Sequence, residues 1–282
     1  MTPPAPLPPL NPAPEDAAMR LKAFLDPVVE QVEVPEYIAA DPVAFMHRYD
    51  DAENRNLAGF LSALLAWGRR DIVIAKIADL LARFGSSPSD FIGNLSPADE
   101  VRLEGFKHRT FTAEDIRWIV RGLSLILREH GSFESFWRRC YRDSGPGRPL
   151  LSLFHERFFG MIPDAPVRVR KHISSPDKNS SCKRLWLFLR WTVRQGSCVD
   201  PGTMPFMPPS ELMVPLDVHV ARYSRMFGLL TRRANDGKAV AEITGHLRRM
   251  DPDDPARYDY ALFGLGVNAI PIPQEFVVNT PV

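Results

Sequence analysis

The sequence predicts an all-α protein, and three observations carry this prediction. Apolar residues recur with the period of a helix face, most clearly at Leu57, Phe60, Leu61, Leu64 and Leu65. No alternating run of apolar and polar residues is long enough to build a sheet. No segment of about 20 to 50 residues is repeated, which argues against a solenoid or a propeller. The composition, 45% hydrophobic and 24% charged over 282 residues, allows a sizeable buried core.

The first residues are unusually rich in proline. Residues 1–15 include the string TPPAPLPPLNPAP, in which the proline nitrogens cannot donate hydrogen bonds and the φ angles are fixed. We therefore expect a disordered tail over residues 1–15 and a helical domain over residues 16–282. The turn-rich string DSGPGRP indicates that the chain crosses between two lobes of this domain near residues 143–150.

Apolar spacing predicts the helices of the first half in order. Helices are expected over residues 57–65, 71–84, 133–141 and 150–159. Between the second and third of these, Thr112 and Asp115 form a capping arrangement at the start of a further helix. Gly131 is expected to end that helix, because glycine readily takes the left-handed conformation of a helix terminus.

The second half begins with a polar stretch over residues 168–181 and continues with helices separated by a loop. Helices are expected over residues 182–194, 215–227, 236–250 and 255–264, with a loop rich in Pro, Gly and Met over residues 196–209. Asp236 lies at the start of the third of these helices, where the helix dipole favours a negative charge.

Charge, cysteines and hydropathy exclude several classes of protein. The formal net charge of +1 excludes a polycation, so any affinity for nucleic acid has to come from local clusters. The cysteines, Cys140, Cys182 and Cys198, form no CxxC pair, so we expect no structural zinc, no iron–sulfur cluster and no other cofactor. Neither a membrane span nor a secretory signal is recognisable. We expect a monomer in the cytoplasm that has no membrane partner.

One segment is strongly basic. Residues 168–194 hold a single acid, Asp177, and two interleaved tryptophans, Trp186 and Trp191, among eight cations: Arg168, Arg170, Lys171, Lys178, Lys183, Arg184, Arg190 and Arg194. Such a cluster can neutralise several phosphates and gain free energy from counterion release. The alternative is a solvated helix face whose long side chains lie along the surface.

Lys183 opens the helix that begins CKRLWLFLRW. The helix N-terminus and the neighbouring Arg184 disfavour an ammonium ion there, so the amine is expected to be easier to free. A neutral lysine amine is the nucleophile of Schiff-base chemistry. The alternative is an ordinary surface charge.

Asp217 stands between an apolar run and the first turn of a new helix, in VPLDVHVARYSRMFGLL. A carboxylate at this position can accept a backbone N–H as the N-cap of the helix. The same carboxylate can face a cleft and stabilise positive charge on a sugar, or transfer a proton. The two roles are compatible.

Two histidines and one loop are further candidates. Neither His108, beside Arg109, nor His219 has a partner at zinc-ligand spacing, so each is expected to be structural or to contact phosphate rather than to act as an acid or base. The loop of residues 67–70 joins two helices and reads Trp-Gly-Arg-Arg. It is either a buried tryptophan with a helix terminus or a wedge that enters nucleic acid.

These strings resemble the helix-hairpin-helix-GPD DNA glycosylases, a superfamily of all-helical two-lobed enzymes. LAGFLSALLAWGRRDIVIAKIADLLARFG resembles their early helix pair, VPLDVHVARYSRMFGLL resembles the helix with the catalytic aspartate, and SSCKRLWLFLRW resembles the lysine helix of the archaeal 8-oxoguanine glycosylases. Over residues 40–267 the chain is also similar to a bacterial family of unassigned function, with strings that read HRTF, CKRL and PLDVH here.

The superfamily resemblance implies a mechanism. Lys183 would attack the anomeric carbon, Asp217 would support it, and the loop of residues 67–70 would fill the gap left by a flipped base. Damaged duplex DNA is then the expected partner, and the protein would be associated with the nucleoid. The residues expected to contact nucleic acid are Trp67, Arg69, Arg70, His108, Arg109, Arg170, Lys171, Arg184, Arg190, His219 and Arg222.

The chain departs from the superfamily pattern before the lysine. SSPDKNSSCK, which contains no glycine, replaces the glycine-rich hairpin that grips a phosphate, and the spacing from Lys183 to Asp217 is longer than usual. Lys178 is therefore a second candidate nucleophile. The leading hypothesis is a DNA repair glycosylase, with or without AP lyase activity. The alternatives are a non-catalytic nucleic-acid-binding module on the same fold and a helical protein–protein scaffold.

Overall fold

The computed structural model describes residues 14–278, and this part of the chain is mostly helical, as the sequence predicts. The first half contains α1 (Pro14–Val32), α2 (Pro35–Ile38), α3 (Ala52–Leu65), α4 (Arg70–Phe84), α5 (Pro88–Gly93), α6 (Pro97–Val101), α7 (Ala113–His130) and α8 (Phe133–Arg142). The second half contains α9 (Leu150–Met161), α10 (Lys183–Val193), α11 (Val218–Met226), α12 (Gly237–Met250) and α13 (Tyr258–Val267).

The predicted tail and the predicted helices can be compared with these bounds. Residues 1–13 of the predicted tail lie outside the described residues, whereas its last two residues belong to α1. The predicted polar stretch before α10 contains two short 3₁₀ turns, Val167–His172 and Pro176–Lys178. A helix predicted to begin at Pro215 begins instead at Val218, because Asp217 has an extended backbone and caps it.

The last helix begins and ends three residues later than predicted. The sequence places its end at Gly264, but α13 continues through that residue to Val267. A Cβ added to Gly264 would lie 2.5 Å from Cγ2 of Val32 on α1. The glycine therefore allows α1 and α13 to pack closely, and this tertiary contact explains why a residue that breaks isolated helices is found inside one.

The start of α7 is fixed by the predicted capping arrangement. The Thr112 hydroxyl accepts the amide of Asp115, and the Asp115 carboxylate accepts the amide of Thr112, which forms a complete capping box. Arg168 donates to the buried Asp115 carboxylate, and His172 stacks on Phe111 with ring centroids 3.6 Å apart. Burial lowers the pKa of His172 to about 4. The polar stretch before α10 is thus anchored to the start of α7.

A small hairpin departs from the all-helical pattern. Strands β1 (Lys107–His108) and β2 (Phe111–Thr112) pair antiparallel, and Arg109 between them has a φ of 53°. Such a left-handed conformation is uncommon outside glycine and is held here by the tight turn. The hairpin is too short for the sequence pattern to reveal it.

The buried apolar side chains of the described residues form one connected core. Helix α3 lies at its centre and is buried from Asn56 to Leu65, in contact with α10, α4, α5 and α8. Phe60 on α3 packs edge-on against Phe133 and Phe188, which lie on α8 and α10. Because α3 ends beside the start of α4 and packs on α10, the core fixes the starts of α4 and α10 relative to each other.

Candidate active site

Three helices begin at one cleft. Helices α4, α10 and α11 each place their first residues in the wall of a cleft of about 820 Å³, a volume within the usual range for ligand sites. The side chains that give the cleft its character are Trp67, Arg70, Lys183, Asp217, His219 and Phe263. Cations, carboxylates and aromatic rings therefore meet in a single cleft.

Lys183 and Asp217 form an ion pair in this cleft. Nζ of Lys183 lies 3.7 Å from Oδ2 of Asp217, and the two side chains are 32% and 12% exposed. The other oxygen of Asp217, Oδ1, accepts the amide of Val220 at 2.8 Å and caps α11. The predicted N-cap is thus confirmed, and the geometry leaves Oδ2 of the same carboxylate for the amine.

The starts of α4 and α10 line the cleft without a side-chain N-cap. The N-cap residues Arg69 and Cys182 make no side-chain capping bond. The first amides of a helix have no intrahelical acceptor, and the dipole adds partial positive charge there. Together with the side chains of Arg70 and Lys183, these amides make the cleft suited to an anionic ligand.

Trp67 forms an aromatic wall of the cleft. The guanidinium of Arg109 lies 4.4 Å from the centroid of the indole ring, and His108 meets the ring edge-on. Gly68 has a φ of 111°, and a Cβ there would approach Nη1 of Arg109 to 2.8 Å. The β1–β2 turn therefore packs on the loop between α3 and α4, and glycine is required at its bend.

Two further cleft residues were not recognised in the sequence. Asp41 is buried, and it accepts the amide of Val43 at 3.0 Å and the hydroxyl of Tyr37 at 3.1 Å. Burial raises the pKa of the Asp41 carboxyl. Asp41 and Tyr37 line the same cleft as Lys183, and no local sequence pattern connects them with it.

A buried charge network lies beneath the ion pair. Arg190, which is 2% exposed, donates to Asp259 and lies 3.5 Å from Asp200. Asp200 also accepts from Arg194 and from the hydroxyl of Tyr260. Arg190 therefore connects the cleft to a buried network of charges and hydrogen bonds.

The network continues to distant parts of the chain. Arg194 donates to Glu33 at the end of α1 and to Asp254 before α13, over 2.7 and 2.8 Å. Despite burial, the adjacent Arg190 and Arg194 hold the pKa of Asp200 below its ordinary value. Removal of one partner from such a buried ion pair leaves an uncompensated charge, which strongly destabilises the fold.

The structure corrects two of the predicted nucleic-acid contacts. Arg190 reaches the floor of the cleft, but its guanidinium is buried and bound to carboxylates, so it is not available to a phosphate. His108 is 2% exposed, and its Nε2 lies 3.1 Å from the carbonyl oxygen of Leu65. Burial lowers the pKa of His108, which agrees with the structural alternative.

Five other predicted contacts do not line the cleft. Arg109, Lys171 and Arg222 are exposed, as is Arg69, which pairs with Asp71. Arg170 is half-buried over the ring of Phe159. Their roles in nucleic-acid binding stay predictions.

Arg184 and Lys178 differ in their relation to the cleft. Arg184 donates to the carbonyl oxygens of Leu64 and Lys171, and burial lowers its pKa to about 10. It therefore joins the end of α3 to the polar stretch that precedes α10. Lys178 is exposed in the Pro176–Lys178 turn and does not line the cleft, which distinguishes it from Lys183.

Residues 14–278 contain neither a cluster suited to a metal ion nor a helix suited to span a membrane. No group of three or more His, Cys, Asp or Glu side chains among them is arranged to hold a metal ion. None of the helices in this range combines the length and the apolar character needed to cross a membrane.

Comparison with known proteins gives a family but no characterised relative. No curated protein and no solved structure matches the chain. One family model, described as "Protein of unknown function (DUF2400)", matches residues 41–268. This range agrees with the residues over which the sequence resembles a family of unassigned function. Because the match covers most of the chain, the protein belongs to the DUF2400 family.

Proposed function

We propose that the protein is a DNA repair glycosylase with AP lyase activity, which takes a flipped, damaged nucleotide into the cleft. The observation that carries this proposal is the Lys183–Asp217 pair, which lies at the starts of two helices in a cleft of about 820 Å³. A lysine amine held beside a carboxylate in a partly enclosed site is the arrangement that imine chemistry at a sugar requires.

The chemistry assigns one role to each side chain. Oδ2 of Asp217 accepts a proton from the Lys183 ammonium, and the neutral amine attacks C1′ of the flipped nucleotide. The Nζ–C1′ bond forms as the N-glycosidic bond breaks, and the base leaves with the bonding electron pair and takes up a proton. A proton passes from Nζ to the ring oxygen as the sugar ring opens to an imine. Loss of the C2′ proton to water then breaks the C3′–O bond and releases the 3′ phosphate, which leaves an unsaturated imine. Water hydrolyses the imine and frees Lys183.

The surroundings of the pair support a nucleic-acid substrate. Arg70 and the uncapped starts of α4 and α10 offer donors to phosphate oxygens. Trp67 and Phe263 offer apolar faces to a base or to the gap that a flipped base leaves. Damaged duplex DNA is the proposed partner of a monomeric protein in the bacterial nucleoid, and the two-lobed helix-hairpin-helix-GPD fold is the proposed framework.

The alternative, a non-catalytic binding module, predicts a different geometry. It would be favoured by an Asp217 that only caps α11 and a Lys183 that points to open solvent. Instead, the Lys183 side chain is two-thirds buried, and its amine lies beside the carboxylate oxygen that capping leaves free. We therefore favour the enzyme over the binding module.

Borohydride trapping tests the proposal. The full-length protein is incubated with end-labelled duplexes, each carrying one damaged base or an abasic site, and sodium borohydride reduces any imine to a stable adduct. We expect adducts with the wild-type protein and with Lys178→Ala, and none with Lys183→Ala. Equal yields from all three proteins, or no adduct with any duplex, would contradict the proposal.

A further inference from the structure

Arg109 places an exposed cation beside the candidate active site without lining the cleft. It forms the two-residue turn between β1 and β2 together with Thr110, and both side chains are exposed. Its guanidinium lies 4.4 Å from the ring centroid of Trp67, which does line the cleft. No carboxylate or carbonyl oxygen of residues 14–278 accepts from this guanidinium, so its N–H groups are available to a molecule outside the chain.

The hairpin that contains Arg109 is anchored on both sides of its turn. His108 precedes the turn, is 2% exposed, and has its Nε2 3.1 Å from the carbonyl oxygen of Leu65. Phe111 follows the turn, is fully buried, and stacks on His172 with ring centroids 3.6 Å apart. The exposed turn is therefore held between two buried anchors, and packing fixes the position of Arg109 beside the cleft.

Trp67 is packed too closely to act as the wedge that the sequence suggested for its loop. The Arg109 guanidinium lies over its ring, His108 meets the ring edge-on, and the indole nitrogen is buried. A Cβ on Gly68 would approach Nη1 of Arg109 to 2.8 Å, which shows how closely the loop and the arginine pack. Of the two stacked side chains, the arginine is the exposed one.

The backbone of Arg109 is unfavourable for its residue type. Its φ of 53° lies in the left-handed region, where glycine and asparagine are tolerated better than other residues. The turn itself therefore gives no reason for an arginine at this position. What the arginine adds is a long side chain that ends in a charged plane, and such a plane can stack on nucleobases as it does on an indole.

We propose that Arg109 is the residue that enters duplex DNA when a nucleotide is flipped into the cleft, with Trp67 as its rigid support. The guanidinium plane fills the gap that the flipped base leaves and stacks on the neighbouring bases. Its free N–H groups donate to the base that has lost its partner. This inference rests on the proposed function, to which it adds the residue that holds the duplex open.

Affinity for a duplex that already lacks one base tests this role without base excision. Fluorescence anisotropy measures how the full-length protein binds two duplexes of one sequence, an intact duplex and an abasic duplex with a tetrahydrofuran analogue, which cannot form an imine. We expect the wild type to prefer the abasic duplex. Arg109→Asn should reduce the ratio of the two dissociation constants about tenfold, as expected for the loss of one stacking group.

Arg109→Lys separates stacking from charge. Lysine keeps the positive charge but lacks the guanidinium plane, so this variant should lose the preference for the abasic duplex as Arg109→Asn does. A wild-type ratio in Arg109→Lys would mean that Arg109 only contacts a phosphate, and this result would overturn the proposal. A wild-type ratio in both variants would overturn it as well.

Arg102→Asn is the matched control. Arg102 is also an exposed arginine over an aromatic ring, 5.0 Å from the centroid of Phe91, but neither residue lines the cleft. This variant should keep the wild-type ratio, and an equal loss in Arg102→Asn and Arg109→Asn would overturn the proposal.

Urea denaturation separates this role from a structural one. Asparagine suits the left-handed turn, and this gain offsets the lost contact with Trp67, so Arg109→Asn should unfold at about the same urea concentration as the wild type. A clearly lower midpoint would mean that Arg109 holds the hairpin in place, and would overturn the proposal.

The binding test and borohydride trapping can fail separately. If adducts form but the Arg109 variants keep the wild-type ratio, the glycosylase proposal is retained and the role of Arg109 is rejected. If no adduct forms but the Arg109 variants lose the preference, the role of Arg109 in opening the duplex is retained without the chemistry. A wild type that binds both duplexes equally would reject the role of Arg109 whatever the trapping result.

Discussion

The carboxylate of Asp217 bonds to the first turn of α11 through one oxygen and lies 3.7 Å from the amine of Lys183 through the other. One side chain thus connects the start of α11 to the start of α10. The capping bond fixes the orientation of the carboxyl group, and this orientation brings the second oxygen to the amine. Stability and the proposed chemistry can be separated by substitutions at this one position.

Substitution of Asp217 should separate the cap from the active-site charge. The amide side chain of the Asp217→Asn variant can still accept the backbone N–H of Val220, so its free energy of unfolding should stay within about 0.5 kcal/mol of the wild type. Asp217→Ala should lose about 1 kcal/mol. Both variants should lose trapped adduct. Urea denaturation and borohydride trapping measure the two effects, and equal stability losses would contradict the capping role.

Gly264 should be intolerant of a larger side chain. A Cβ at this position would lie 2.5 Å from Cγ2 of Val32, so Gly264→Ala should force α1 and α13 apart and lower the free energy of unfolding by about 1 to 3 kcal/mol. Gly245→Ala, inside α12, is the control. A Cβ there meets nothing within 4 Å, and alanine is the better helix former, so this variant should be as stable as the wild type or more so.

The stability of the fold should decrease on mild acidification because of His172. Burial lowers its pKa from 6.5 to about 4, so the unfolded chain binds a proton that the folded chain excludes between these values. Stability is therefore lost as pH falls from about 6.5 to 4, by up to about 3 kcal/mol from this residue. In His172→Gln the slope of unfolding free energy against pH should be smaller in this window. An unchanged slope would rule out His172 as its source.

Arg70 should contribute to DNA affinity through charge rather than through base recognition. Arg70→Ala should weaken binding of all duplex sequences alike and reduce the slope of log affinity against log salt by about one. The control is Arg138→Ala, because Arg138 is bound to Glu134 on α8 and does not line the cleft. Fluorescence anisotropy over a salt series measures both. A slope that is equal in the two variants and the wild type would exclude a phosphate contact by Arg70.

Much of the fold follows from local patterns. The capping box of Thr112 and Asp115, the N-cap Asp217 and the left-handed Gly131 can all be predicted, because each is formed by residues within a few positions of one another. The end of α13 cannot be predicted from nearby residues. Gly264 continues the helix because Val32, on a helix more than 200 positions earlier, occupies the space beside it.

The candidate site could be predicted only in part, for the same reason. Lys183 and Asp217 are recognisable as candidates because each lies at the start of a helix, in a string that resembles the helix-hairpin-helix-GPD glycosylases. Arg190 is grouped with the exposed cations, since composition does not reveal that a distant Asp259 neutralises it inside the protein. Asp41 is missed because nothing in its neighbourhood marks a carboxyl that reaches a cleft.

The bonds of Arg194 determine when the cleft can be completed. Arg194 joins Glu33, which is 161 positions earlier, to Asp254, which is 60 positions later. During synthesis the chain emerges from its N-terminus, so α1, α3 and α10 are available well before Asp254 and α13. Until that last segment arrives, Arg190 lacks Asp259 and Arg194 lacks Asp254, although both arginines can already pair with Asp200. The buried network behind the proposed site is therefore completed only when the last helix, α13, has been synthesised and packed.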